Sequence, residues 1–159
     1  MIVGVISDTH IPEKAKGLPA ALVERMRGVD LILHAGDLTT AETLAYLRTL
    51  APVYAVYGNV DTLEMKTLLP RSREIRVGDF RIGLIHGDGV SYTTIERARR
   101  AFDHVDCVVF GHSHSPTIQT VRSVLMVNPG SPTDRRREPH PSFAVLTVED
   151  TIEAEIVYL

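Results

Sequence analysis

Residues 2–10 read IVGVISDTH, an unbroken apolar run that leads into two residues able to bind a metal ion, Asp8 and His10. Continuous runs of Val, Ile and Leu are typical of parallel strands that are covered on both faces. Similar runs follow at residues 31–33, 53–57 and 107–110. The stretch therefore predicts a parallel strand with a polar loop at its carboxyl end.

The segments between these runs predict helices. They span Leu18–Met26, with Pro19 in the first turn, then Ala41–Leu50 and Ile95–Phe102, each of the last two preceded by a pair of threonines that can cap. Later strands are predicted at residues 74–77, 80–85, 117–121, 124–127, 142–148 and 151–157, and a Pro-rich surface loop at residues 128–141. We therefore expect one α/β domain over residues 1–159 with a mixed parallel and antiparallel core.

Composition and charge argue against nucleic-acid-binding, membrane and disulfide-bonded proteins. Of 159 residues, 44% are hydrophobic, and 17 basic residues face 20 acidic ones, which gives a net charge of −3. This balance makes bulk nucleic acid an unlikely partner. The apolar runs are short for a membrane span, no leader pattern precedes Ile2, and the single cysteine, Cys107, excludes an internal disulfide. We expect a cytoplasmic protein that has no membrane segment.

Metal-capable side chains follow the predicted strands at five places. The motifs are Asp8-Thr9-His10, Gly36-Asp37, Gly58-Asn59-Val60-Asp61, His86-Gly87 and Gly111-His112-Ser113-His114. Ligands of open α/β sheets bind outside the carboxyl ends of the strands, so these loops should converge on one crevice. A single Asp or Asn after a strand is more often a turn former. The full set is hard to explain by turn chemistry.

The ordered motifs DxH, GD, GNxD, HG and GHSH resemble those of the calcineurin-like metallophosphoesterase superfamily, in particular its small single-domain bacterial and archaeal phosphodiesterases. The resemblance implies a four-layer αββα sandwich, with two mixed β-sheets flanked by helices, and a two-metal site. It also implies that one metal is held by Asp8, His10 and His114, with Asp37 as the bridge. The second metal would be completed by Asn59, His86 and His112, with Asn59 and His86 near the phosphate.

Mixed nitrogen and oxygen ligands suit Mn²⁺, which we expect foremost, and also Fe, Zn²⁺ or Ni²⁺. The net charge of two divalent ions, two aspartates and a bridging hydroxide is about +1. This positive charge attracts a phosphodiester monoanion. Metal-bound water has a pKa near ~7, so hydroxide is available for in-line attack on phosphorus without a covalent intermediate.

Two positions depart from the family pattern. Val60 occupies the place where many relatives carry a His that protonates the leaving oxygen, so we expect a preference for diesters with good leaving groups. What replaces that His is left open. The GD motif continues to Leu38 instead of a phosphate-binding Arg. Replacement candidates are Arg135, Arg136 and Arg137, although a basic run is equally often a solvated loop.

Three further residues are candidates for a supporting role around the metals. His34 precedes Asp37 by three positions, and Asp88 follows His86 by two. Asp61 could orient the site, although Asp61-Thr62-Leu63-Glu64 fits a helix capping box slightly better.

The sequence thus predicts a metal-dependent phosphodiesterase that acts on small or exposed phosphodiesters, and a homo-oligomer is compatible with the family. The rival prediction is a protein-interaction scaffold, because a retromer subunit shares this fold. A scaffold has no need to keep every ligand position, and none of the seven is lost here. This retention favours the enzyme.

Overall fold

The computed structural model describes residues 1–159, and these form four helices and ten strands. The helices are α1 (Ala20–Met26), α2 (Ala41–Arg48), α3 (Leu63–Leu68) and α4 (Thr94–Arg100). The strands are β1 (Ile2–Ile6), β2 (Leu31–His34), β3 (Val53–Ala55), β4 (Ser72–Val77), β5 (Phe80–Ile85), β6 (Cys107–Val109), β7 (Thr117–Val121), β8 (Val124–Asn128), β9 (Ser142–Val148) and β10 (Ile152–Tyr158).

The strands form two five-stranded sheets. The first has the order β10-β9-β1-β2-β3, in which β1, β2 and β3 are parallel and the β9-β10 hairpin is added antiparallel. The second has the order β4-β5-β6-β8-β7, with a parallel centre and one antiparallel strand at each edge. The predicted mixed core is confirmed.

Three apolar clusters divide the molecule into four layers. The largest lies between the sheets and includes Val5, Leu33 and Val109. A second packs α1, α2 and α3 on the outer face of the first sheet, and a third packs α4 on the outer face of the second sheet. Because each central strand contributes to clusters on both faces, its sequence is continuously apolar. The αββα sandwich is therefore as expected.

The helix boundaries follow the capping residues. Thr40 and Thr93 cap α2 and α4 through their side chains, whereas Pro19 stands just before the first residue of α1. The short helix α3 was not predicted from periodicity. Its cap is Thr62, whose hydroxyl accepts from Met65 N, so the capping-box interpretation of Asp61 is wrong.

The Pro-rich stretch after β8 is a surface loop only in its second half. Residues 128–132 are buried, and exposure increases from residue 133 onward. The first half is held inside because Asn128 and Ser131 hydrogen-bond to the loops after β1 and β6. The prediction of a surface loop over 128–141 is therefore corrected.

No helix has both the length and the apolar character that crossing a membrane requires.

Candidate metal centre

The loops that follow β1, β2, β5 and β6 bring five buried side chains together between the two sheets. Each of these residues is at most 4% exposed: Asp8, His10, Asp37, His86 and His114. We call this group the inner half of the centre. All five had been predicted as metal ligands, and they come from both sheets. The edge where the parallel strands end is thus the place where the chain concentrates its ionisable groups.

Asp8 lies at the middle of the inner half. Its Oδ1 is 3.3 Å from His114 Nε2, 3.8 Å from His10 Nε2 and 3.9 Å from His86 Nε2. Its Oδ2 faces the other way and accepts hydrogen bonds from Ser7 Oγ and His112 N. One carboxylate oxygen therefore fixes the loop, and the other is presented to three imidazoles.

The two carboxylate oxygens of Asp37 also have different contacts, one with imidazoles and one with the backbone. Oδ2 is 3.1 Å from His86 Nε2 and 3.6 Å from His10 Nε2, while Oδ1 accepts from Val60 N. Its inward oxygen thus lies between an imidazole assigned to the first metal and one assigned to the second. This is the position that a bridging ligand requires.

Backbone carbonyls set the tautomers of two imidazoles. His86 Nδ1 donates to Ala35 O at 2.7 Å, and His114 Nδ1 donates to Asp134 O at 2.6 Å. Nε2 of each ring is then directed inward, 3.3 Å from Asp8 Oδ1 for His114 and 3.1 Å from Asp37 Oδ2 for His86. When such a ring is neutral, this nitrogen has the lone pair that a metal ion needs. Metal-binding histidines are held in this way by acceptors on their outer nitrogen.

The electrostatic field in the centre favours positive charge. Burial alone would lower the pKa of His86, but the hydrogen bond with Asp37 and the charge of Asp8 raise it to about 9. Burial would likewise raise the pKa of Asp8, but the imidazoles of His10 and His114 outweigh it and hold that pKa below its usual value. Two carboxylates that stabilise an imidazolium at this depth would also stabilise a cation.

Buried polar atoms that have no hydrogen-bond partner indicate whether these residues fit a metal. Asp8 Oδ1, His10 Nε2 and His114 Nε2 are buried and have no hydrogen-bond partner. Leaving such atoms unpaired costs free energy, which a cation bound to all three would recover. Two groups of three residues have ligand atoms within 4.8 Å of one another, namely Asp8, His10 and His114, and Asp8, Asp37 and His86. The donor set fits divalent ions with a preference for mixed nitrogen and oxygen ligands.

The remaining two predicted ligands lie at the edge of this group. Asn59 is exposed, and its Oδ1 is 3.1 Å from His86 Nε2. His112 is half-buried, and its ring is 5.2 Å from that of His86 in an edge-on arrangement. Burial, reinforced by the positive charge of His86, lowers the pKa of His112. Both side chains therefore sit where the centre opens toward solvent.

The candidate ligands hold unusual backbone conformations. Asp8, His10, Asp37, His112 and His114 all have positive φ, between 43° and 69°. Left-handed backbone costs an L-residue of order 1–3 kcal/mol, and such strain concentrates at functional sites. The surrounding hydrogen bonds must therefore hold these residues in place.

Glycines in the same motifs have two different roles. Gly36 and Gly87 have φ of 97° and 92°, as a tight turn requires. Gly58 and Gly111 are not left-handed, and a Cβ there would collide with the Asp37 carboxylate or the Ser7 hydroxyl. These two glycines therefore provide space for the acidic ligand of a neighbouring loop, and not a turn.

Asp61 holds the loop that carries Asp37. Its Oδ2 accepts from Asp37 N and Gly58 N, and its Oδ1 accepts from Thr39 N at 2.7 Å. Burial raises the pKa of Asp61, and these N–H donors oppose the rise. The carboxylate therefore fixes the loop that carries Asp37, as expected of a residue that orients the site.

His34 links the same loop to the first motif. Its Nδ1 accepts from Gly36 N at 3.2 Å, so the neutral ring carries its proton on Nε2 and donates to Thr9 Oγ1 at 3.1 Å. The side chain is fully buried. His34 thus connects the residue before Asp37 to the residue between Asp8 and His10.

Two further supports come from the segment after β8 and were missed as site residues. Ser131 Oγ donates to Asp8 O, and Thr133 Oγ1 donates to Thr9 O at 2.7 Å. The only signal was the Asn-Pro-Gly-Ser turn at residues 128–131. These contacts join positions more than 120 residues apart, so local pattern could not reveal them.

The other predicted residues lie away from the inner half. Asp88 is paired with Arg71 at 3.4 Å, and its negative charge acts on the imidazole of His112 at the edge of the centre. The three arginines line a separate depression of about 380 Å³ together with Ser113 and Ser115. Arg135 donates to Glu138 O, Arg136 lies near Asp134, and Arg137 is exposed.

Comparison with known proteins agrees with this geometry. A probable metallophosphoesterase of Methanothermobacter thermautotrophicus is 42% identical over 160 residues, which is 99% of this chain and 92% of that protein. The zinc complex of Vps29 from Entamoeba histolytica superposes with a TM-score of 0.78 at 30% identity over 99% of each chain. An archaeal phosphodiesterase has the same fold, with a TM-score of 0.79 at 22% identity over the full length of both chains.

Residues 1–151 match the model of the calcineurin-like phosphoesterase superfamily domain. Together with the buried carboxylates and imidazoles at the strand ends, this match shows that the chain belongs to the calcineurin-like phosphoesterase superfamily.

Proposed function

We propose that the protein is a two-metal phosphodiesterase, built as one metallophosphoesterase domain over residues 1–159, that hydrolyses small or exposed phosphodiesters. The observation that carries the proposal is the pair of inward carboxylate oxygens, Asp8 Oδ1 and Asp37 Oδ2. Each lies within 4 Å of imidazole nitrogens from more than one loop. Such a pair, with Asp8 Oδ1 and the two imidazole nitrogens His10 Nε2 and His114 Nε2 unsatisfied, fits two cations better than one.

The proposed ligand sets divide the centre. Asp8, His10 and His114 would hold one ion, and Asn59, His86 and His112 the other, with Asp37 between them. Mn²⁺ is the expected metal, with Fe, Zn²⁺ and Ni²⁺ as alternatives. When bound, two such ions would lower the pKa of a shared water toward ~7, supply hydroxide for in-line attack and neutralise charge on the phosphate.

The residues around that centre would act on substrate binding and orientation. Asn59 lies at its open side, where a phosphate would enter, and its Oδ1 is 3.1 Å from Nε2 of the buried His86. Val60 follows Asn59, is 46% exposed and has no proton to donate to a leaving oxygen. A good leaving group needs no such proton, so aryl diesters should react much faster than alkyl diesters.

Other expectations belong to this proposal. The free thiol of Cys107 is buried, and burial raises its pKa to about 12, so it is an unreactive core residue. A single unpaired cysteine suits a reducing compartment such as the cytoplasm. A homo-oligomer is compatible with the proposal.

The decisive experiment is hydrolysis of bis(p-nitrophenyl) phosphate by protein stripped of metal with a chelator. We expect no turnover until Mn²⁺ is restored, and we expect Asp8→Asn to stay inactive after the same addition. Asp79→Asn is the matched control, because Asp79 is exposed at the β4-β5 turn. A protein that binds Mn²⁺, Zn²⁺, Ni²⁺ and Co²⁺ but never turns over would contradict the proposal and fit a scaffold instead.

A further inference from the structure

Arg97 on α4 holds the loop that joins β5 to its own helix. Its Nε donates to Gly87 O at 2.7 Å, and its Nη1 donates to Ser91 O at 3.0 Å and to Tyr92 O. A guanidinium group carries five N–H donors in a rigid plane, so one such side chain can bind several carbonyls at once. The loop of residues 87–92 is therefore fastened at its beginning and at its end by a single residue.

Other contacts hold the loop and Arg97 together. A Cβ at Gly89 would collide with the Arg97 side chain, so the loop lies directly against it. Nη2 of Arg97 donates to Thr94 Oγ1 at 3.1 Å, which ties the guanidinium to the first turn of α4. The guanidinium of Arg100 lies 4.1 Å from the centroid of the Tyr92 ring. The loop is thus fastened from the side of α4, although the Tyr92 ring is 60% exposed.

The fastened loop begins at a candidate metal ligand. Gly87 follows His86, whose carbonyl accepts from Gly111 N at 3.0 Å, and the next carbonyl along the chain is the one that Arg97 binds. His112 follows Gly111 and lies within electrostatic reach of the guanidinium. Burial is the main cause that lowers the pKa of His112, and the charges of His86 and Arg97 add to it. Arg97 therefore lies next to the segments that carry two ligands proposed for one ion.

The ligands proposed for the other ion are supported from elsewhere. His114 Nδ1 donates to Asp134 O, and Ser131 Oγ donates to Asp8 O. The hydrogen bonds of Arg97 all go to residues 87–94. Loss of the guanidinium should therefore act on the ion of Asn59, His86 and His112, which we call the second ion, and spare the first.

We propose that Arg97 is a positioning residue for the second ion. By fixing the loop that follows His86, it keeps that imidazole in place to share one ion with Asn59 and His112. Arg97 acts through His86 and not on the phosphate. This inference rests on the proposed function, since it needs two ions with separate ligand sets, and it adds a residue that lies outside every ligand motif.

Calorimetric titration of chelator-stripped protein with Mn²⁺ tests the proposal without requiring turnover. Arg97→Gln removes the guanidinium, and Arg97→Lys keeps the positive charge but not the planar fork that binds three carbonyls. We expect the wild type to bind two ions, and both variants to bind one of them about 10- to 100-fold more weakly, as for other residues that orient metal ligands. The affinity for the other ion should be unchanged.

Nuclear magnetic resonance identifies the weakened ion. Zn²⁺, which is diamagnetic, is titrated into protein whose histidine side chains are labelled with nitrogen-15. In both Arg97 variants the His114 Nε2 signal should respond as in the wild type, whereas the His86 Nε2 signal should respond only at higher Zn²⁺ concentration. A variant that is merely less stable would delay both signals together.

Arg99→Gln is the matched control. Arg99 lies on the same helix, is half-buried like Arg97 and donates to two backbone carbonyls, Phe102 O at 3.0 Å and Val121 O at 3.3 Å. These carbonyls lie outside the metal loops. The control therefore loses the same kind of hydrogen bond and should keep both metal affinities.

The outcomes separate this inference from the proposed function. Two ions bound with unchanged affinity in both Arg97 variants would overturn the role of Arg97 and leave the two-metal enzyme standing. Equal weakening of both ions, or full rescue by Arg97→Lys, would also overturn it, because general stability or charge would then explain the effect. A wild type that binds one ion only would refute the two-metal proposal, and with it the ion that Arg97 would serve.

Discussion

The inner half of the centre and its open side are built on different principles. The inner half consists of five nearly inaccessible side chains, and in four of them, Asp8, Asp37, His86 and His114, the outward atom is hydrogen-bonded to a neighbouring group. The open side consists of Asn59, Val60 and His112, which are half-buried or exposed. The buried residues of the inner half therefore set where cations would bind. The exposed residues of the open side would determine which phosphate esters can react.

The largest expected effect comes from the open side. Val60→His places an imidazole beside Asn59, where it can protonate a leaving oxygen. General-acid catalysis contributes about 10²- to 10⁴-fold, and we expect at least about 100-fold on alkyl diesters. Nitrophenyl diesters, which leave without a proton, should change little. Comparing the hydrolysis rates of alkyl and nitrophenyl diesters in the variant and the wild type tests this prediction.

The control for this change is Val60→Gln, which is polar but cannot titrate. It should leave the alkyl rate low. The histidine variant should also lose alkyl activity as pH rises past the ordinary imidazole pKa, near ~6.5. Equal acceleration of both esters would show that the imidazole acts on something other than the leaving group.

The next effect concerns the supports of the inner half. Asp61→Asn replaces an oxygen that accepts from backbone N–H groups by an amide nitrogen that cannot. The loop of Asp37 should loosen, and metal affinity should fall about 10- to 100-fold, as for other residues that orient ligands. Calorimetric titration with Mn²⁺ measures this.

Asp79→Asn is the matched control for Asp61→Asn. Asp79 is another acidic residue, but it is exposed at the β4-β5 turn and pairs with Arg76. Metal affinity should be unchanged in this variant. If both substitutions weakened binding equally, general negative charge and not loop geometry would explain the effect of Asp61.

These supports also mark how far the sequence predicts the site. The apolar runs before Asp8, Asp37 and His86 are local signals, so strands and ligand loops could be located in advance. The sequence could not decide between the two roles of Asp61, because this residue accepts from Thr39 N, 22 residues away along the chain, and it gave no role to Ser131, whose partner is 123 residues away. A Pro- and Gly-rich stretch is normally solvated, and residues 128–132 are buried only because they fasten the Asp8 loop.

The helix α3 is a second feature that the sequence does not predict, for a different reason. It has six residues, of which only Met65 is buried, so no apolar period marks it. Its cap, Thr62, follows Asp61 directly, whereas the sequence pattern indicates Asp61 as the cap. Only the fold shows that the aspartate is used by the neighbouring loop.

A smaller effect concerns His34, the buried histidine that joins two of the metal loops, and the pH dependence of stability. Burial lowers the pKa of His34 to about 3, despite the opposing charges of Asp8 and Asp37. The unfolded chain binds a proton at this position below about pH 6.5, whereas the folded chain does not until about pH 3. Lowering the pH from 7 to 5 should therefore cost about 2 kcal/mol of unfolding free energy through this residue.

Urea unfolding at pH 7 and pH 5, in excess chelator, measures this contribution. His34→Gln lowers stability at both pH values, but it removes the titrating group. The loss on acidification should therefore be smaller in the variant than in the wild type by about the same 2 kcal/mol. An identical loss in the two proteins would show that His34 is protonated in the folded state.

The smallest effect concerns the separate depression that the three arginines line. Arg137 is exposed and, unlike Arg135 and Arg136, is not drawn toward a neighbouring acceptor, so it is the arginine free to meet an incoming phosphate. Exposed ion pairs contribute about 0.2–1 kcal/mol, so Arg137→Ala should raise KM by no more than about fivefold and leave kcat unchanged. The difference should disappear at high salt, since screening removes the attraction. Arg27→Ala, an exposed change at the end of α1, is the control. A fall in kcat instead would place Arg137 in contact with the reacting phosphate, and the substrate-binding segment would then belong to the centre itself.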